Sequence, residues 1–289
     1  MTSPSPALLE LMSKVIDGDA SYDDLLSQLE ASQQPISDLG PDQVPIDMVG
    51  QLSGATVDLG RESRCGFGEV IYGEGKSAEL VAQIIHTQLE IGQSALVTRI
   101  DSGVAFQVRQ SFSFAYHNPS AGTLRVTPRE VSPAQPLSAE EAKTTFHAAV
   151  VTAGSTDAKI AEEAIETLIW MGVPYQRFDD IGVAGPQRLA NALPRLRLAS
   201  AVVVVAGMEG ALPAVVAGHL PAPVFAVPTS VGYGASLGGL TPLMGMLSSC
   251  AASVAVVNID GGFKGGYMAG IVVRQLQQHC QEIPRDQEE

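Results

Sequence analysis

Four runs of small and β-branched residues in the second half of the chain restrict its fold more than any other feature. They are "FHAAVVTAG", "SAVVVVAG", "APVFAVPTS" and "SVAVVNIDG", and helical segments separate them. Continuous apolar strands of this kind are covered on both faces, as in a parallel sheet wound by helices. A weaker fifth strand, "PYQRFDD", follows the helix "AKIAEEAIETLIWMG". Right-handed βαβ connections therefore predict an α/β fold, a doubly wound parallel sheet over residues 146–280.

The first half of the chain has a different pattern of apolar residues, glycines and prolines. Apolar residues at helical spacing between residues 5 and 31 predict a helical hairpin. A strand, a glycine-rich turn, a helix with Ser77 at its N-terminus and a second strand then predict a small α/β unit. The proline-rich run "TPREVSPAQPLSAEEAK" is typical of a linker. The predicted order is a helical segment (1–50), the small α/β unit (51–128), the linker (129–145), the doubly wound domain (146–280) and a polar tail (281–289).

The charge of the chain limits its partners. It has 17 basic and 31 acidic residues, a formal net charge of −14, and the long-range field of such a chain repels phosphates. This argues against binding to nucleic acid or to an anionic membrane. The three cysteines suggest neither a disulfide framework nor a paired metal-ligand pattern, and no apolar run is long enough to cross a bilayer. We expect a cytoplasmic protein without a protein-borne metal site.

Polar, glycine-rich turns follow four of the predicted strands: "TAGSTDAKIAEEA", "AGMEGALP", "PTSVGYGASLGG" and "NIDGGFKGGY". In a parallel sheet these turns converge at one edge, where backbone N–H groups and helix N-termini can bind anions. One such turn alone is more simply a tight turn that caps the next helix, but four at one edge predict a ligand site. Neither a dinucleotide fingerprint nor a Walker loop is present, which disfavours a nicotinamide dehydrogenase.

Titratable residues in or near these turns are the candidate catalytic groups. Asp157 is a candidate base or ligand anchor, with helix capping as the alternative, and Glu209 is a single carboxylate among glycines. Cys250 is a candidate nucleophile, although a cysteine flanked by Ser and Ala is more often a small buried residue. Lys76 and Arg64 form part of a basic cluster suited to phosphates, with solvated surface charge as the alternative. The candidate substrate-binding residues are Arg64, Ser155, Thr156, Arg188, Gly207, Met208, Gly210, Thr229, Ser230, Gly232, Tyr233, Gly234, Asn258 and Asp260.

These motifs together resemble a known family. "RCGFGEVIYGEGK", "VVTAGSTDAKIAEEA", "GVAGPQRL", "VVVAGMEGALPAVVAG" and the run from "AVPTSVGYGAS" to "NIDGGFKGGY" are similar to the LarB family, the pyridinium biscarboxylic acid mononucleotide synthases of nickel-pincer cofactor biosynthesis. The resemblance is dense over residues 61–100 and 147–272. The second half also resembles PurE-type aminoimidazole ribonucleotide carboxylases, and this resemblance implies their flavodoxin-like order of strands. The corresponding turn of those carboxylases is longer and contains a His. Here the turn has no His and carries Glu209.

The resemblance implies a reaction. Nicotinic acid adenine dinucleotide would be carboxylated on its pyridinium ring by carbon dioxide or bicarbonate, and its phosphoanhydride would be hydrolysed to release AMP. The implied roles are thiolate addition by Cys250, proton removal by Glu209 with Asp157 as the alternative, and phosphate binding by Lys76 with Arg64. Backbone N–H groups of residues 207–210 and 230–234 would hold the carboxylates.

The resemblance also bears on assembly and cofactors. It implies a homo-octamer, and the phosphates of the substrate are compatible with Mg²⁺. The chain departs from the family pattern at several positions, none of which removes Lys76, Glu209 or Cys250. The chain has Gly68 where the family usually has Pro, Ser155-Thr156 where it has Thr-Ser, and Gln187 where it often has His. Residues 260–266 replace the family's "DNGFGAG" and add Lys264. We expect the charge of Lys264 to be solvated.

Two other functions fit the same sequence. An aminoimidazole ribonucleotide carboxylase or mutase acts on a substrate that is already an enamine, so its activity would not depend on Cys250. A nucleotide-binding regulatory protein, assembled through apolar helices such as "GGLTPLMGMLSSC", would bind a nucleotide without turnover.

Overall fold

A computed structural model describes residues 45–132 and 135–282, with side chains as far as residue 280. The helical hairpin predicted over residues 5–31 lies outside the described residues, as do residues 283–289.

The first described elements form the small α/β unit. They are β1 (Val49–Leu52), β2 (Ala55–Asp58), α1 (Arg61–Cys65), β3 (Ile71–Tyr72), α2 (Ala78–Glu90), β4 (Ala95–Thr98), α3 (Ser102–Arg109), β5 (Ala115–Asn118) and β6 (Thr123–Val126). β1 and β2 form an antiparallel hairpin, and the other four strands form one sheet in the order β3-β4-β6-β5. The hydroxyl of Ser77 accepts a hydrogen bond from the N–H of Leu80 at 3.2 Å and caps α2, because Ser satisfies an N–H that the helix leaves unpaired.

The second half forms the doubly wound domain. Its elements are β7 (Ala148–Thr152), α4 (Ala158–Trp170), β8 (Tyr175–Phe178), α5 (Pro186–Leu196), β9 (Ala201–Ala206), α6 (Leu212–Ala217), β10 (Val224–Pro228), α7 (Leu240–Leu247), β11 (Val254–Val256) and α8 (Gly262–Glu282). The five strands are all parallel and lie in the order β11-β10-β9-β7-β8. This is the flavodoxin-like order, and the predicted fold class is confirmed.

Helices cover both faces of this sheet. Alternate residues of β9 point to opposite faces, so Val203 and Val205 pack under α4 and α8, whereas Val202 and Val204 pack under α5, α6 and α7. All six residues of β9 are buried. Burial of each valine contributes about 1.5–3 kcal/mol relative to exposure, which explains why the Val-rich run forms the central strand.

Helix α8 begins earlier than the sequence suggests. Three of the four glycines of "GGFKGGY" lie within the helix, and two of them, Gly262 and Gly266, allow close contact with α4. A Cβ on Gly262 would lie 2.2 Å from the carbonyl oxygen of Ile160, and a Cβ on Gly266 would lie 2.5 Å from that of Ala164. These glycines therefore serve helix packing, and Lys264 lies exposed on the same helix.

The two units pack together through α4. The indole N–H of Trp170 donates to the carbonyl oxygen of Ser94 at 2.8 Å, and the ring of Phe67 lies 5.9 Å from that of Trp170. The middle of the predicted linker is also held, because the N–H of Leu137 donates to the carbonyl oxygen of Tyr175, the first residue of the edge strand β8. Among the helices that the structure describes, none combines the length and the apolar character that a membrane span requires.

Candidate active site

A cleft of about 220 Å³ lies at the carboxyl ends of β7 and β9. These strands are neighbours in the sheet, and the chain turns in opposite directions after them, which is where flavodoxin-like domains bind ligands. The cleft, called the rim cleft below, is lined by Ala153, Gly154, Thr156, Asp157, Gly182, Val183, Ala184, Arg188, Ala206, Gly207, Met208, Glu209, Ala211, Leu212 and Val231. A shallower groove continues from Met208 and Glu209 to Tyr233, Gly234, Ala235, Ser236 and Thr241.

Asp157 is the buried carboxylate of the rim cleft, with 3% of the residue exposed. It occupies the N-cap position of α4, but its side chain does not cap that helix. Instead, Oδ1 accepts from the hydroxyl of Thr229 at 2.8 Å and Oδ2 accepts from the N–H of Gly154 at 2.9 Å. Burial raises the pKa of the Asp157 carboxyl, while the two hydrogen bonds oppose that rise and the nearby charge of Asp260 adds to it.

Glu209 lies exposed on the wall of the same cleft. Its turn is tightly constrained, since Met208 has a φ of +55° and Gly210 a φ of +72°. A Cβ on Gly207 would lie 2.4 Å from the carbonyl oxygen of Val231, so only glycine fits there. The chain therefore brings Glu209 and Asp157 to one cleft, one exposed and one buried.

Backbone strain is concentrated around this edge of the sheet. Four non-glycine residues with positive φ, namely Asp180, Met208, Leu237 and Asp260, lie in the loops that follow β8, β9, β10 and β11. Such conformations persist only where the surrounding structure enforces them, and they are frequent at active sites and ligand-binding sites.

Several backbone N–H groups predicted to bind carboxylates are already engaged. The N–H of Met208 donates to the carbonyl oxygen of Val231, that of Gly210 to Gly207, and that of Ser230 to Asp260 Oδ1 at 2.8 Å. These bonds hold the rim loops to one another. Any substrate contact by these residues must therefore use other atoms.

The remaining predicted rim residues take different positions. Arg188 lines the rim cleft, where its guanidinium pairs with the carboxylate of Asp180. Thr156 lines the cleft and Ser155 lies exposed beside it. Asn258 accepts from the N–H of Ile259 at 2.9 Å. Gly232 has no room for a side chain, because a Cβ there would lie 2.3 Å from the Ser236 hydroxyl.

Cys250 does not lie at this edge within one chain. It is exposed between the end of α7 and the start of β11, and the carbonyl oxygen of nearby Ser253 accepts from the N–H of Val224, the first residue of β10. Cys250 is thus at the amino edge of the parallel sheet. The candidate carboxylates are at the carboxyl edge, about 16 Å away along a five-residue strand.

Lys76 and Arg64, predicted to act together, are also separated. Lys76 lines a cleft of about 710 Å³ between the two units, called the interdomain cleft below, together with Arg99, Asp101 and Lys159. Its ammonium group donates to the carbonyl oxygen of Tyr72 at 2.6 Å. Arg64 is not among the residues that line this cleft, and its guanidinium pairs with Asp58, the last residue of β2.

Sequence reasoning missed three residues of the site. Lys159 and Arg99 line the interdomain cleft, and the hydroxyl of Ser236, in a residue that is 6% exposed, has no hydrogen-bond partner among the described residues. Ser236 lines the groove that contains Glu209. The pattern "ALVTRID", a buried strand followed directly by an arginine, was a signal for Arg99. In the described part of the chain, no group of three or more His, Cys, Asp or Glu side chains is arranged to hold a metal ion.

The fold and the position of the rim cleft define a PurE-like α/β protein with an additional N-terminal unit. Residues 147–288 match the family model described as AIR carboxylase, and residues 49–128 match that described as LarB/PurE-like N-terminal domain. The chain therefore belongs to the LarB family, a family of carboxylase-type enzymes with a PurE-like C-terminal domain.

Two similar proteins accompany these matches. An uncharacterised protein of Methanocaldococcus jannaschii is 37% identical over 225 residues, which cover 75% of this chain and 83% of that protein. A crystal structure of Treponema denticola PurE2-S38D is similar with a TM-score of 0.35 and 17% identity, over 50% of this chain and 96% of that chain.

Proposed function

We propose that this protein carboxylates the pyridinium ring of nicotinic acid adenine dinucleotide, with carbon dioxide or bicarbonate as co-substrate. It then hydrolyses the phosphoanhydride to release AMP and pyridinium-3,5-biscarboxylic acid mononucleotide. The observation that carries the proposal is that Glu209 and Asp157 of a LarB-family chain line one cleft, at the carboxyl ends of β7 and β9 where the chain turns in opposite directions. In place of the His of the related carboxylase turn, this cleft offers two carboxylates.

The ring chemistry needs a nucleophile because a pyridinium ring is electron-poor. Addition of the Cys250 thiolate to an adjacent ring carbon forms a C–S bond and leaves a neutral enamine. The enamine carbon attacks carbon dioxide, and Glu209 then removes the proton from that carbon. The electron pair of the ring nitrogen finally expels the thiolate, which restores the aromatic ring and regenerates Cys250.

The thiolate must come from a neighbouring copy of the chain. Cys250 lies at the amino edge of its own sheet, about 16 Å from the carboxyl edge, so it cannot reach the rim cleft of its own chain. Exposed apolar side chains lie on the loop before α7 and on α7 itself, with Tyr233 80%, Met244 66% and Leu247 65% exposed. Large exposed apolar patches mark sites of association. We infer that a second copy, within a homo-octamer, covers this surface and contributes Cys250.

The phosphates lie in the interdomain cleft in this proposal. Lys76 of the small unit and Lys159 in the first turn of α4 line that cleft, and Lys159 is two residues from Asp157. The N-terminus of α4 favours negative charge at this point. Lys76 stabilises the charge that develops on the phosphates as the anhydride bond breaks. Mg²⁺ would be held chiefly by the phosphates, with no step of the reaction assigned to it.

Product analysis tests the reaction. The purified full-length protein is incubated with ¹³C-bicarbonate and either nicotinic acid adenine dinucleotide or aminoimidazole ribonucleotide, and the products are identified by mass spectrometry. We expect ¹³C in a pyridinium dicarboxylate together with free AMP, from the dinucleotide only. Label in aminoimidazole ribonucleotide that persists in Cys250→Ser would favour the carboxylase or mutase alternative. Tight binding of the dinucleotide without any labelled product would favour the regulatory alternative.

A further inference from the structure

Arg99 connects the small unit to the rim of the large domain. It directly follows β4 and has a φ of +54°, a conformation that non-glycine residues seldom adopt. Its guanidinium pairs with both oxygens of Glu163, with Nε to Oε1 at 2.9 Å and Nη2 to Oε2 at 3.2 Å. Nη2 also donates to the backbone carbonyl oxygen of Asp260. One side chain of the small unit thus holds a helix and a loop of the large domain.

Glu163 holds the start of helix α8 at the same time. Its side chain is 3% exposed, and Oε2 accepts from the backbone N–H of Phe263 at 3.2 Å. A carboxylate at a helix N-terminus interacts favourably with the helix dipole. Burial raises the pKa of Glu163, and the charge of Arg99 opposes that rise. Arg99 is therefore the cation that offsets the burial of this carboxylate.

Asp260 transmits the contact to the candidate active site. Its φ is +54°, and its N–H donates to the carbonyl oxygen of Pro228 at 2.8 Å. Its Oδ1 accepts from the N–H of Ser230 at 2.8 Å. The preceding residue in the chain, Thr229, donates its hydroxyl to Asp157. The conformation of the Asp260 turn thus determines where the loop that holds Asp157 lies.

We propose that Arg99 is a positioning residue of the reaction, through which the small unit fixes the Asp260 turn and the Ser230 loop so that Asp157 is correctly placed. The inference rests on the proposed function for its kinetic consequence, but not for its structural one. It gives the small unit a second task besides phosphate binding. It also accounts for a strained residue on each side of the boundary between the units, since strained conformations persist where the structure enforces them.

Hydrogen exchange gives a test that does not require activity. In Arg99→Gln, we expect the amides of residues 229–234 and 258–263 to exchange about tenfold faster than in the wild type, because bonds to charged groups are lost. Arg125→Gln is the matched control. Arg125 also belongs to the small unit, and its Nε lies 3.7 Å from Oε2 of Glu166 on α4. Its other contact is with the ring of Tyr116, and no contact with the rim is found for it among the described residues. Exchange that is unchanged in Arg99→Gln, or equally faster in both variants, would overturn the inference.

Kinetics supply the second readout. We expect Arg99→Gln to lower kcat about tenfold or more with little change in KM, and to move the pH dependence of kcat, while Arg125→Gln changes neither. Arg99→Lys should restore little of the lost kcat, because an ammonium group cannot form the bidentate ion pair with Glu163 and also donate to the carbonyl oxygen of Asp260. A raised KM with unchanged kcat would make Arg99 a substrate-binding residue and refute the positioning role. If the wild type shows no turnover, only the proposed function is refuted. The hydrogen-exchange result would still decide whether Arg99 positions the Asp260 turn.

Discussion

The hydrogen bond between Thr229 and Asp157 gives the sharpest prediction. Thr229 is fully buried, and its hydroxyl donates to Oδ1 of Asp157 at 2.8 Å. Thr229→Val keeps the shape of the side chain and removes the donor. A hydrogen bond to a charged group contributes about 1.5–3 kcal/mol, and one between neutral groups about 0.5–1.5 kcal/mol. The loss in the free energy of unfolding should therefore depend on the ionisation of Asp157.

The sign follows from the direction of the pKa change. The hydroxyl stabilises the carboxylate, so its removal raises the pKa of Asp157 beyond the rise that burial already causes. Above the folded-state pKa the variant loses the charge-assisted bond, and below it only the weaker neutral bond. We expect a loss of about 1.5–3 kcal/mol at pH 8, and a loss that becomes smaller as the pH is lowered and Asp157 is protonated. The acidic limb of the pH dependence of kcat/KM should move to higher pH.

Urea unfolding over a pH series from pH 8 down to the acid limit of folding, at one fixed protein concentration, measures the loss. Thr123→Val is the matched control, since Thr123 is fully buried and its hydroxyl has no hydrogen-bond partner among the described residues. We expect this control to leave stability unchanged or slightly higher throughout the series. A loss for Thr229→Val that stays constant over the whole pH series, or that is no larger than that of the control, would refute the reasoning.

Three further predictions concern the proposed chemistry. Cys250→Ser should abolish incorporation of labelled bicarbonate, and the variant should still fold because Cys250 is exposed. Cys65→Ser and Cys280→Ser should retain activity, and label incorporated by Cys250→Ser at the wild-type rate would exclude the covalent step. Glu209→Gln should keep the affinity for the dinucleotide within about tenfold by calorimetry and lose most of kcat, and the opposite pattern would make Glu209 a positioning group. Lys76→Ala should slow AMP release more than it slows exchange of the ring proton, because only AMP release develops charge on the phosphates. Chromatography measures AMP release and NMR measures the exchange, and equal slowing of both would mean that Lys76 positions the whole substrate.

The strands and their order were largely predictable, because continuous Val and Ala runs have few alternatives to buried parallel strands. The predicted placement of Cys250 was wrong, because Cys250 was grouped with the turns at the carboxyl edge. A residue between a helix and the next parallel strand lies at the amino edge of the sheet, and this rule was not applied to Cys250. The glycines of α8 were misleading, since glycine is typical of turns, and only the close approach of α4 and of the sheet explains them in a helix.

The partners of the site residues were not predictable. Asp157 and Thr229 are 72 residues apart in the chain, and Arg99 and Asp260 are 161 residues apart. No local pattern specifies such pairs. Glu163 did carry a signal, since it lies in the helix "AKIAEEAIETLIW" on the face with Ile160, Ala164 and Thr167, where a carboxylate requires a cation. The sequence could indicate that a partner exists without identifying Arg99.

Co-expression of two inactive variants tests the central claim, that the rim cleft of one copy and Cys250 of another form one active site. Cys250→Ser and Glu209→Gln chains with different tags are assembled together, and the mixed oligomers are purified through both tags. Random assembly leaves about a quarter of the sites with both groups intact, so we expect about a quarter of the wild-type rate of label incorporation. Asp157→Asn with Glu209→Gln is the control, because both residues line the rim cleft of one chain and mixing restores no site. Mixed oligomers of the first pair that are no more active than either variant alone would contradict the account.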